Sequence, residues 1–157
     1  MFQEPWLWTV GALVVGALVM GIIWWVASRR PLRPSVERAR KLFHLQRERL
    51  EFRFFSLASH SGKPRGAEWV ECDFEDDVSF ARDRHNGRLR AVVGVTVHFR
   101  PVEGGGMEDN PNVRMPKAGS VVFYLDGSDW GTDGKVHFNL NPAEAIRHFQ
   151  QDLELVE

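Results

Sequence analysis

"VSFARDRHNGRLRAVVGVTVHF", residues 78–99, decides the fold. Its second arm places Ala91, Val93, Val95, Val97 and Phe99 on one face, a period-two pattern, and Asn86-Gly87 between the arms is the strongest short-range signal for a hairpin. An antiparallel pair with one apolar face needs a layer to cover it. Upstream, "AEWVECDF" (67–74) alternates in the same way, with Val70, Cys72 and Phe74 on one face and Trp69, Glu71 and Asp73 on the other. Downstream, "GSVVFYL" (119–125) and "KVHFNL" (135–140) read as further strands. The turn-rich "DGSDWGTDG" (126–134) separates them and has room for a short strand around Trp130. The linking segment "PVEGGGMEDNPNVRMPKAG" (101–119) is too long and too rich in Gly, Pro and Asn for a tight turn, and such loops are mobile or functional; its composition favours mobility.

The covering layer comes from "SVERARKLFHLQRERLEFRFFSLAS" (35–59), a long amphipathic helix with Ser35 as N-cap. At 100° per residue, Val36, Ala39, Gln46, Leu50, Phe54 and Leu57 gather around Phe43 and form the face toward the sheet. Leu45 and Phe52 fall on the opposite side among charged neighbours. They are either scattered exposed apolar residues or a surface for a protein partner or self-association. "NPAEAIRHFQQDL" (141–153) closes the domain as a short C-terminal helix, with Asn141 as N-cap, Pro142 at the first helical position and Glu144 completing a capping box. It would lay Ile146, Phe149 and Leu153 on one side. The predicted class is α+β: a long helix packed on an antiparallel sheet of about five strands, with residues 35–157 forming one soluble domain.

Ahead of this domain stands "WLWTVGALVVGALVMGIIWWVA" (6–27), free of charge and of proline. At about 1.5 Å per residue it covers the hydrocarbon core of a bilayer, so residues 6–28 are expected to form a transmembrane helix. Trp6 and Trp8 at one end and Trp24 and Trp25 at the other are placed as headgroup anchors. A cleaved signal peptide is the competing reading, but the apolar run exceeds the usual h-region and no Lys or Arg precedes it. Arg29, Arg30 and Arg33 lie in the basic, proline-containing linker 29–34, and Arg38, Arg40 and Lys41 follow closely. By the positive-inside rule the domain is cytoplasmic and residues 1–5 form a short extracytoplasmic tail.

Composition narrows the partners. The net charge of −1 divides into +2 for the anchor with its flank and −3 for the rest, a poor balance for binding nucleic acid. The lone Cys72 excludes an intramolecular disulfide. His98 and His137 point away from their strands' apolar residues and share the polar sheet face, where Glu71 or Asp73 could add a third ligand, yet no His or Cys interval matches a known metal spacing. Glu71, Asp73 and Glu75 alternate in "ECDFEDD", a pattern that serves a solvated or protected edge strand as well as a cation. "DGSDWGTDG" fails as a calcium loop because its twelfth position is not Glu. "HSGKPRG" (60–66) lacks the Ser or Thr and the earlier glycine of a phosphate-binding loop. No catalytic residue, metal or cofactor is expected.

One span, a long helix and a small α+β domain, with the phrases "GKPRG", "HNGRLRAVVGVTVHF" and "FNLNPAEAI", resemble uncharacterised single-span bacterial membrane proteins, a likeness that implies no activity. The helix-on-sheet pattern is also similar to cystatin-like and NTF2-like domains, at fold level only. Two functions compete: a membrane-anchored interaction or structural domain at the cytoplasmic face, with the lipid bilayer as one partner, and a small-molecule-binding or enzymatic domain with a pocket between helix and sheet.

Overall fold

The computed structural model describes residues 15–22, 24, 35–61 and 66–156. The chain divides into two compact units, Met1–Arg33 and Pro34–Glu157. In the first, residues 15–22 are helical and exposed, and Trp24 is helical as well. Most of the expected span 6–28 lies outside the described residues, as do Trp6, Trp8, Trp25, Arg29, Arg30 and Arg33; among the described residues no helix is long and apolar enough to cross a membrane.

The second unit is α+β. It holds α1 (Val36–Ser61), β1 (Ala67–Asp83), β2 (Leu89–Pro101), β3 (Lys117–Asp126), β4 (Asp129–Phe138), α2 (Pro142–His148) and β5 (Leu153–Leu155). All strand pairs are antiparallel, in the order β4-β3-β2-β1-β5. Five strands agree with the expected number, but their membership differs. The two arms read as separate strands, 67–74 and 78–83, are one strand, and β5 was read as the end of a helix.

β1 stays continuous because two bulges absorb its irregularities. The first falls between Trp69 and Glu71 and shifts the face by one residue. Trp69, expected outside, therefore joins Cys72 and Phe74 against the core, while Val70 is left 49% exposed. The second sets Glu75, Asp76 and Asp77 across from Gly94, since Phe74 pairs Val95 and Val78 pairs Val93. Three consecutive acidic residues thereby leave the ladder and stay exposed.

α1 starts as its sequence suggests. Ser35 Oγ accepts the Arg38 amide at 3.3 Å, and Ser35 O accepts that of Ala39 at 3.0 Å. Ala39, Phe43, Leu50, Phe54 and Ala58 are buried against Phe80, Ala91, Val93, Val95, Val97, Val121, Phe123 and Trp130. Leu57, expected in this face, is 39% exposed, and Ala58 takes the place beside the sheet. Trp130 ties the layers together: its ring lies 5.1 Å from that of Phe43, its Nε1 donates to Ala39 O at 3.1 Å, and its amide donates to Gln46 Oε1 at 3.1 Å. Gln46 thus sits in the core-facing stripe because it satisfies a strand amide there.

α2 begins on the expected cap. Asn141 Oδ1 accepts the Glu144 amide at 2.8 Å and Glu144 Oε2 accepts the Asn141 amide at 3.0 Å. The helix stops at His148, and Leu153 opens β5 instead of extending the helix. Ala145, Ile146 and Leu153 cover Ala81 and Val92 in a second small core, separate from the one under α1.

Candidate interaction surfaces

The space between α1 and the sheet is filled by aromatic rings. Phe43 contacts Phe80, Phe123 and Trp130 edge-on at 5.8, 5.5 and 5.1 Å, and Phe54 meets Phe74 at 5.6 Å. These rings occupy the interface between α1 and the sheet where the sequence allows for a pocket.

Leu45 and Phe52 lie on the outer side of α1, 84% and 76% exposed. Seven residues apart, they sit almost in line along the helix. Within about 60° of Leu45 on the helical wheel are also Arg38, Lys41, Glu48 and Arg49, all exposed. Lys41 pairs with Glu37 at 2.9 Å and Arg49 with Asp129 at 3.7 Å.

A second apolar surface, which the sequence reading missed, opens at the far end of the sheet. Ala67, Phe99 and Phe138 from three strands, with Met107 and Val113 from the 102–116 loop, line a groove of about 350 Å³ bordered by Asn110, Asn139 and Lys117. The loop is well anchored despite its composition. Gly66 O accepts the Val102 amide at 2.9 Å, and Gly105 packs so closely on Gly66 that a Cβ there would stand 2.6 Å from the Gly66 Cα. The amides of Glu108 itself and of Gly104, Gly105 and Gly106 hold the Glu108 carboxyl below its usual range, with Gly104 and Gly106 at φ 76° and 74° shaping the turn. Asn110 Oδ1 caps the 3₁₀ turn Pro111–Val113 through the Asn112 amide at 3.0 Å. Triple glycine followed at short range by Glu was the signal available for this clasp.

The remaining suspects stay apart. His98 Nε2 lies 2.8 Å from Asp73 Oδ2, whereas the His137 ring rests 5.0 Å from that of Phe149 beside α2. Among the described residues no group of His, Cys, Asp or Glu could hold a metal ion. Burial pushes the Cys72 thiol up to about 12, and the charges of Asp73 and Glu71 add to the shift. At neutral pH it stays a thiol, which makes it a poor nucleophile.

Known proteins add nothing to this geometry. No protein-family model matches the chain, and no curated protein or solved structure does. Any functional reading rests on the surfaces just described.

Proposed function

We propose that this protein is a single-pass membrane protein whose α+β domain works at the cytoplasmic face as an interaction module, with Leu45 and Phe52 as its contact surface. Residues 6–28 form the transmembrane helix, and Arg29, Arg30 and Arg33 hold the domain on the cytoplasmic side. The observation that carries this reading is the contrast on α1: its inner face is packed solid, yet its outer face keeps Leu45 and Phe52 more than three-quarters exposed. Fully burying two such side chains is worth roughly 1.5–3 kcal/mol each, enough to matter for a contact already concentrated by tethering.

The double change Leu45→Ser and Phe52→Ser should leave the melting temperature of the domain nearly unchanged and abolish crosslinking from the outer face of the long helix, whether to protein or to photoactivatable lipid, in native membranes. A large loss of stability would assign both residues to the core and end this reading.

A second reading has one observation in its favour. The groove beside Phe99, Phe138 and Met107 suits an apolar small molecule, although it lies beyond α1 and not beneath it. An environment-sensitive anilinonaphthalene probe should bind there and be lost on Phe138→Glu; equal fluorescence from both proteins would remove the groove from consideration.

A further inference from the structure

We infer that the outer face of α1 docks on the anionic lipid of the cytoplasmic leaflet, so that the domain lies against the bilayer with its helix layer down. The inference rests on the proposed anchor and names the partner of the Leu45 and Phe52 surface.

Charge is divided unequally between the layers. α1 carries six Lys or Arg against three Asp or Glu, while residues 62–157 carry eleven against seventeen. The near-neutral total conceals a basic helix beside a strongly acidic sheet. On the outer face the apolar pair is bracketed by Arg38, Lys41 and Arg49, with Arg53 on one flank and Glu37, paired with Lys41, on the other; Glu48 is the acid within it, and Arg49 pairs with Asp129. Arg38 and Arg53 make no ion pair among the described residues, so these cations are not already neutralised by the fold. Apolar side chains flanked by basic ones are the composition that inserts shallowly at a headgroup boundary. The sheet presents the opposite sign: Glu71, Asp73, Glu75, Asp76 and Asp77 are all exposed along β1. An anionic surface therefore attracts one layer and repels the other, which orients the domain as well as binding it. Chain length agrees, since the six residues 29–34 can span only about 20 Å between the apolar segment and Ser35. A protein partner on this face would need no lipid charge, which separates the two possibilities.

The test uses the full chain with Cys72→Ser and Ser56→Cys, Ser56 lying on the same helical stripe one turn beyond Phe52, labelled with bimane. It is reconstituted in nanodiscs of phosphatidylcholine, with or without phosphatidylglycerol, each carrying a headgroup-proximal spin-labelled quencher lipid. Quenching should be strong in the phosphatidylglycerol discs, weak in the neutral ones, and reduced by salt. Each of Arg38→Gln and Arg53→Gln should lower the docked-to-free ratio about fivefold, the equivalent of about 1 kcal/mol for one basic residue near an anionic leaflet. Leu45→Ser with Phe52→Ser should remove the quenching. A chain that enters the discs but keeps an unquenched label, or is quenched equally in both lipids, overturns the inference and leaves the anchor standing. Crosslinking between copies with the label unquenched assigns the face to a second copy and overturns it too. A chain that does not enter the discs at all refutes the anchor, and this inference with it.

Discussion

Asp83 closes the β1–β2 hairpin almost alone. Its Oδ1 accepts the amides of His85 and Asn86 at 3.0 and 3.2 Å, and its Oδ2 accepts Asn86 Nδ2 at 3.1 Å and the Arg90 guanidinium at 2.7 Å. Burial pulls this carboxyl up, but the Arg90 hydrogen bond, the two amides and the Arg90 charge outweigh it and hold it below the usual range. Because the folded state prefers the charged form, the stabilisation is complete above the unfolded value of 3.8 and is lost as pH falls through the lower folded value. Asp83→Ala should cost about 2–3 kcal/mol in urea unfolding at neutral pH, with the gap from the parent protein narrowing below about pH 4. A gap independent of pH would show that charge plays no part. The sequence marked Asn86-Gly87 as the turn, and the hairpin is there, but only Gly87 has positive φ, at 69°. The loop is longer than a two-residue turn, held also by Gly87 N donating to Asp83 O at 2.7 Å, and the residue that organises it was legible only as a strand end. Gly134 repeats the lesson. At φ 73° it lies where α1 meets β4, and a Cβ there would stand 2.6 Å from Leu57 Cβ. Gly134→Ala should lower stability by about 2–4 kcal/mol through the left-handed backbone and the clash together, read as a fall in melting temperature; a neutral result would refute the close contact.

Among the elements, α1, β2, β3 and the cap of α2 could be read in advance because each obeys one period throughout. β1 could not, since its first bulge changes the phase and its second takes three residues out of the ladder. The face expected to carry Val70 carries Trp69, and Glu75, expected to continue the alternation of Glu71 and Asp73, leaves the ladder with Asp76 and Asp77. What holds that bulge comes from far along the chain. Arg47, with a side chain only 17% exposed, donates from Nη1 to Asp76 O at 2.9 Å and from Nη2 to Glu75 O, while its Nε meets Glu51 Oε1 at 2.7 Å. The planar fork reaches two carbonyls at once, which a lysine cannot do. Arg47→Lys should therefore cost about 1–3 kcal/mol, nearly as much as Arg47→Ala, and hydrogen exchange should quicken in 75–77 before the rest of β1 responds. Full protection in the lysine variant would mean that the bulge is set by the strand alone. The groove escaped notice for a similar reason: its walls come from four separate segments, and no local pattern brings Phe99, Met107, Val113 and Phe138 together.

The whole molecule poses a question of sidedness, and the proposed anchor answers it through charge. Arg29, Arg30 and Arg33 follow the apolar segment directly, and Arg38, Arg40 and Lys41 come within the next eight residues. All six fall inside the short stretch over which positive charge biases the orientation of a span. The last three belong to α1, where Lys41 lies on the outer face and Arg40 reaches inward, its guanidinium 5.2 Å over the Phe80 ring and 2.9 Å from Val156 O. On the proposed reading one basic run serves orientation and the contact surface, and through Arg40 it also holds Val156 just beyond β5. Removing the linker arginines alone should weaken the bias without reversing it, because the helix cations remain. A reporter fused after Glu157 should accordingly be active only in a form that works in the cytoplasm, both in the parent chain and after Arg29→Ser, Arg30→Ser and Arg33→Ser. Adding Arg38→Gln, Arg40→Gln and Lys41→Gln to those changes should yield a mixed population. Activity from an export-dependent reporter in the parent chain would reverse the assignment and restore the reading of 6–28 as a signal segment.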